Sequence, residues 1–251
     1  MATFVKENSI VRSIWGKADT VLFIFAGSAA EFALNKAVDW LYFTGKLPAD
    51  PLGRLFSTVA YARQIIYSDY DAAIRAIDKI TAIHKGVEQA RGAQIPDWAY
   101  RDVLFMLIDY SIRSFELLER KLTMQEKAEI FDVFYRIGKQ MQLKGLPVSY
   151  LEWEIMRGEH LDNDLLSSKF TVDLYKQYKK HLGGLRYFLL KQVQIMVTPP
   201  QVKQLLNIGR IPLMWPALVG YKFLRWLNVE GVLKNALLPE QYKAQIKALD
   251  N

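Results

Sequence analysis

The chain has 251 residues, 51% of them hydrophobic, with no cysteine and a formal net charge of +7. That length and composition allow a large buried core without disulfides, and the missing thiols exclude disulfide frameworks, thiolate zinc sites, iron–sulfur clusters and cysteine nucleophiles together. The charge is uneven: from Tyr175 to Leu249 twelve Lys or Arg stand against Glu230 and Glu240, a balance of +10 that leaves about −3 for the remainder.

In chain order, the opening MATFVKENSIVRSIWGK places acidic and polar groups where a signal peptide needs an unbroken apolar stretch, so a cytoplasmic location is expected. Segments with a 3.6-residue period then run over 19–44, 51–67, 70–91, 98–121, 124–143, 150–163, 170–181, 185–196, 201–207, 213–227 and 239–248. Helix-start signals sit at their borders. Asp50-Pro51 puts an N-cap before a first-turn proline, Thr123-x-x-Glu126 and Ser149-x-x-Glu152 read as capping boxes, and Thr198-Pro199 and Leu238-Pro239 repeat the proline device. Gly183-Gly184 reads as a helix-ending pair. No segment alternates with period 2, so the expected fold is all-α, a multi-helix bundle in one domain over 1–251. The apolar runs from Thr20 and Ile211 stop short of the ~20 residues a membrane-spanning helix needs.

Within 70–91, helical spacing lines up Ala73, Ile77, Ile80, His84 and Val87 as one apolar stripe that should be buried, with a histidine set into it. A buried imidazole needs partners. A core carbonyl or hydroxyl, or Glu88 one turn on, would satisfy it as a structural residue; a metal or haem iron is the other option.

Several chemistries lose support by absence. There is no phosphate-cradling glycine motif and no G-x-S-x-G elbow. The Glu-x-x-His pairs of di-iron bundles are missing, because Thr81, Arg157 and Tyr178 stand three residues before His84, His160 and His181. A zinc site built from histidines would need all three of these to converge. Haem needs only one proximal imidazole, an apolar slot and polar groups on the distal side. DPLGRLFSTVAY, residues 50–61, offers those groups: Arg54 and Thr58 are four apart on one helical face with Ser57 beside them, among Leu52, Leu55, Phe56, Val59 and Ala60. The plainer reading is a solvated arginine with two hydroxyls bonding back to their own helix.

The string D-P-x-G-R-x-x-S-T, followed about 26 residues later by I-H-x-x-V, resembles the haem b oxygenases that include the bacterial rubber oxygenases (latex clearing proteins) and the fungal oxygenase of mycophenolic acid biosynthesis. SIWGKADTVLFIFAGSAAEFALNKAV is similar to that family's opening segment, LIDYSIRSFELLERKLTMQEKAEIFDVFYRIGKQM to its next two helices, and ALLPEQYKAQI to its C-terminal stretch. The likeness covers most of 10–160, with a weaker, basic helical tail over 175–249. It implies a bundle of the rubber oxygenase type with a globin-like helical core. It also implies haem b, with His84 as the iron ligand and Arg54 and Thr58 near the haem. Ser57 stands where the best-known rubber oxygenase has a lysine able to reach the iron, Thr81 replaces an arginine, and Phe105 or Met106 replaces a further histidine. Rubber is therefore a poor substrate expectation.

The function expected from this likeness is a haem-dependent oxygenase acting with dioxygen on a hydrophobic substrate, an alkene or terpenoid chain, with Arg54, Ser57 or Thr58 donating a hydrogen bond during catalysis. A second expectation is a non-enzymatic helical protein that binds a hydrophobic ligand or docks peripherally on a membrane through RIPLMW (210–215) and KFLRWL (222–227), where cations and aromatics mix. Nucleic acid is not an expected partner, since basic charge comes without any recognition motif.

Overall fold

The computed structural model describes residues 2–45, 49–209 and 211–226; the side chains of Pro51, Leu52, Leu55, Phe56, Ala217 and 222–226 lie outside this description. Eleven helices are present among the described residues: α1 Ile10–Trp15, α2 Ala18–Phe32, α3 Asp39–Phe43, α4 Pro51–Tyr67, α5 Tyr70–Arg91, α6 Asp97–Leu118, α7 Met124–Gln140, α8 Tyr150–Asn163, α9 Lys169–Val197, α10 Pro200–Leu206 and α11 Trp215–Trp226. Extended pairing is limited there to two isolated bridges, Thr3 with Asp69 and Asn35 with Leu165, so the fold is all-α. No described helix is long and apolar enough to cross a membrane. The predicted segment 239–248 lies outside the described residues.

Side chains that satisfy the orphan backbone N–H groups of the first turn set most helix starts. Asp50 accepts from the Gly53 N–H before Pro51, Asp69 from Ala72, and Thr123 and Glu126 form a reciprocal capping box. At α8 only half of the expected box forms. Ser149 accepts from the Glu152 N–H, but the Glu152 carboxylate turns outward to the Val148 N–H. The two predicted segments 170–181 and 185–196 join as α9 with a kink at Gly183, whose φ of 72° suits glycine.

The predicted 19–44 helix is broken in two. Asn35 Oδ1 accepts from the Ala37 N–H, and its Nδ2 donates 3.0 Å to Asp102 Oδ2, so this side chain competes with the helix for local backbone groups. Residues 33–38 become a turn, and α2 stops at Phe32. The six-residue α1, ahead of the first predicted segment, is too short to show a period.

Helix α2 is apolar on nearly every side because it is covered on several faces. Val21, Ile24 and Phe25 join the main core with Ile14, Trp15, Ile77, Ile108, Ile130 and Phe134; Ala30 packs with Leu161 and Val202, and Ala33 with Leu174 and Tyr178. The approach to α6 is close: a Cβ placed on Gly27 would lie 2.3 Å from Tyr110 Cδ1, on a ring that is itself fully buried. Gly27→Ala is therefore expected to force the two helices apart and cost about 1–3 kcal/mol, read as a lower urea midpoint with an unchanged slope.

Candidate functional site

Helices α4 and α5 are joined by Ser68 and Asp69 alone and run antiparallel. The closed end of this hairpin is anchored: Ile65, Ile66, Ala73, Ala76 and Ile77 are buried, Arg63 donates to the Trp15 carbonyl, and Tyr67 donates to the Arg12 carbonyl. The open end holds the start of α4 beside the end of α5, which brings Arg54 toward His84. Their proximity is felt electrostatically, because the Arg54 charge disfavours a second positive charge on the imidazole. The expected stripe on α5 is thus buried only in its first half; Ile80, His84 and Val87 are half-buried at the open end.

His84 has one ring nitrogen committed. Nδ1 lies 2.9 Å from the Ile80 carbonyl, which can only accept, so the proton sits on Nδ1 and Nε2 carries a lone pair. Burial is the largest influence on its pKa and outweighs the Ile80 carbonyl, pushing it below the usual histidine range and favouring the neutral ring. Tyr100 of α6 packs edge-on against the imidazole at 5.3 Å. Glu88, one of the partners the sequence left open, is occupied elsewhere: it accepts from the Ile95 N–H at 2.9 Å and from the Tyr100 hydroxyl at 3.1 Å.

The α4 residues divide into two kinds. Ser57 and Thr58 donate to the Arg54 carbonyl at 2.8 and 3.1 Å, the back-bonding read as the plainer option, so their protons are already used. Arg54 is half-buried, and its guanidinium makes no hydrogen bond or ion pair among the described residues. Burial lowers its pKa from the ordinary arginine range, and the nearby Tyr61 offsets this only in part. Thr81 likewise bonds back, to Ile77, while Phe105 and Met106 are both buried in the core. Val59 is buried and Ala60 exposed; Leu52, Leu55 and Phe56 fall among the undescribed side chains.

A second constellation lies at the junction of α2, α6 and α8. Arg157 grips Glu31 with two N–H groups at 2.5 and 2.6 Å and reaches Asp109 Oδ2 at 2.9 Å; all three side chains are buried. Tyr110 donates to Glu31 at 2.8 Å. His160 Nε2 sits 2.8 Å from Glu31, and Nδ1 lies 2.8 Å from Asp102 and 3.6 Å from Asp164. Burial opposes a charge on each of these groups, yet their partners prevail: Arg157 and His160 hold Glu31 at about 2, and Asp102 and Glu31 lift His160 to about 9. The sequence reading missed this network. Its signal was available as charged residues inside apolar helical stretches, such as Glu31 in FIFAGSAAEFAL and Asp102 and Asp109 seven apart in α6.

An open surface depression of about 540 Å³ lies apart from both groups, between Ile10, Arg12, Lys17, Phe115, Glu119 and Arg120. Its charged, open walls do not suit an apolar substrate.

In this all-α scaffold a half-buried histidine on α5 lies near Arg54 on the neighbouring α4. The chain belongs to the family described as ER-bound oxygenase mpaB/B'/Rubber oxygenase, catalytic domain, whose model matches residues 15–230. No curated protein and no solved structure matches the chain significantly. Oxygenation of a small molecule with dioxygen is the family's general chemistry.

Proposed function

We propose that the chain is a haem b-dependent oxygenase of hydrophobic substrates, with His84 as the proximal iron ligand. One observation carries the proposal: within a member of this family, the histidine of the I-H-x-x-V motif keeps a neutral ring whose Nε2 lone pair has no hydrogen-bond partner among the described residues. The donor set fits the group. A carbonyl accepting from Nδ1–H fixes the tautomer and makes Nε2 a better ligand, and Arg54 has donors free for a propionate or for a substrate-side oxygen.

When bound, the porphyrin iron supplies the activation of dioxygen. The protein's own part is positioning. Ile80 orients the imidazole, Tyr100 limits its rotation from the side, and Glu88 ties the end of α5 to the start of α6. Of Arg54, Ser57 and Thr58, Arg54 is the one able to donate without breaking an existing side-chain bond. Ser57 and Thr58 act as donors only after giving up the Arg54 carbonyl; otherwise they accept hydrogen bonds and hold the first turns of α4 in shape. With threonine at position 81, Arg54 would supply the cation for this role, and the serine at 57 is a short, weak ligand that would not compete for an iron. A terpenoid or other alkene is the substrate class that suits these half-buried apolar surroundings.

The test is an absorption spectrum of the full chain, as purified and after addition of haem. A Soret band at one haem per chain, with oxygen uptake that depends on an added alkene, is the expected result. A chain that remains colourless after haem addition contradicts the proposal.

A further inference from the structure

The buried network around His160 carries more than a fold-stabilising ion pair needs. Asp102 on α6, His160 on α8 and Asp164 at the C-cap of α8 each offer one potential ligand atom, and these three atoms lie within 4.8 Å of one another. His160 Nδ1 is fully buried and makes no hydrogen bond: although Asp102 Oδ1 is 2.8 Å away, the two are not aligned as donor and acceptor. Ligands about 2.0–2.2 Å from a metal ion stand roughly 3–3.5 Å apart, so Asp102 Oδ1, 2.8 Å from Nδ1, would draw back slightly and Asp164, the most exposed of the three and 3.6 Å from Nδ1, would swing in to close the set.

The surroundings supply what such a site requires. Glu31 Oε1 lies 2.8 Å from His160 Nε2 and accepts a hydrogen bond from Nε2–H, so that in the neutral ring Nδ1 is the lone-pair atom, the arrangement by which a carboxylate orients a metal-bound histidine. Asn35 Nδ2 donates to the other oxygen of Asp102 at 3.0 Å, fixing that carboxylate so that Oδ1 faces the histidine.

We infer that Asp102, His160 and Asp164 form a binding site for one first-row divalent metal ion of the Mn2+, Fe2+ or Zn2+ class, separate from the His84 site. Two carboxylates and one imidazole are a mixed hard and borderline set that matches these ions and disfavours Cu(I). With three protein ligands, the coordination sphere is completed by water from the Asp164 side. The ion would lock α6 to α8 and, through Asn35 and Glu31, to the end of α2.

The full chain, stripped with a chelator and dialysed, should be titrated with Co2+ as the spectroscopic probe and analysed for bound metal by mass spectrometry. One Co2+ per chain is expected, with visible d–d bands and a higher unfolding midpoint. Asp164→Asn removes a half-exposed ligand with little threat to folding and should weaken binding at least about tenfold. His160→Gln should abolish it, while Asp162→Asn on the neighbouring exposed position and His84→Ala in the other site should leave it intact. Less than one Co2+ per chain would overturn the inference and mark His160 as a doubly protonated bridge between Glu31 and Asp102. Stoichiometric binding unaffected by Asp164→Asn would overturn it equally.

Discussion

Replacing Arg157 with methionine is expected to destabilise the protein by about 3–5 kcal/mol, the usual cost of removing one partner from a buried ion pair. The side chain is 5% exposed and serves two carboxylates, so its loss leaves Glu31 and Asp109 charged, buried and deprived of their principal donor. Asp109 retains Arg113 at 2.7 Å, but that arginine approaches from the surface; Glu31 retains only Tyr110 and His160. Urea unfolding followed by circular dichroism measures the effect. The double variant Arg157→Met/Glu31→Met should recover a substantial part of the loss, since removing both charges takes away the desolvation penalty that removing one exposes. Additive losses would show that the two residues act independently.

The second large effect is expected at His84. His84→Ala should abolish haem retention and oxygenase turnover while leaving the helical content and unfolding midpoint nearly unchanged. The reason is positional: the imidazole sits at the open end of the α4–α5 hairpin, beyond the buried Ala73, Ala76 and Ile77, and its ring bonds only to its own helix and packs beside Tyr100. A structural core histidine would behave oppositely, losing stability by about 1–3 kcal/mol on truncation. Comparing the two readouts in one variant therefore separates a ligand from a packing residue.

Local devices made most of the helices readable. Asp50 before Pro51, Thr123 with Glu126, and Gly183 at a positive φ each act within a few residues, so their chemistry is visible in the chain itself. The break at 33–38 was not readable, because it depends on Asn35 reaching Asp102, 67 residues away. The same limit explains the hidden network. Glu31, Asp109 and Arg157 look like ordinary surface charges until three helices converge, and His160 was weighed only against other histidines, whereas its neighbours in space are carboxylates. At the other site, sequence located His84 and Arg54 on adjacent helices but left the imidazole's partner open; geometry assigns the Ile80 carbonyl and gives Glu88 to Tyr100 and Ile95. The cation-rich segment 222–227 and everything C-terminal to it lie outside the described side chains, so surface docking through them stays an expectation from sequence.

Ligand rescue puts the main idea at risk in one experiment. His84→Gly purified without additive should show no Soret band, and millimolar free imidazole supplied with haem should restore it, because the small molecule can occupy the space the side chain left. A glycine variant that binds haem with an unaltered spectrum in the absence of imidazole would mean that the iron is held by another residue.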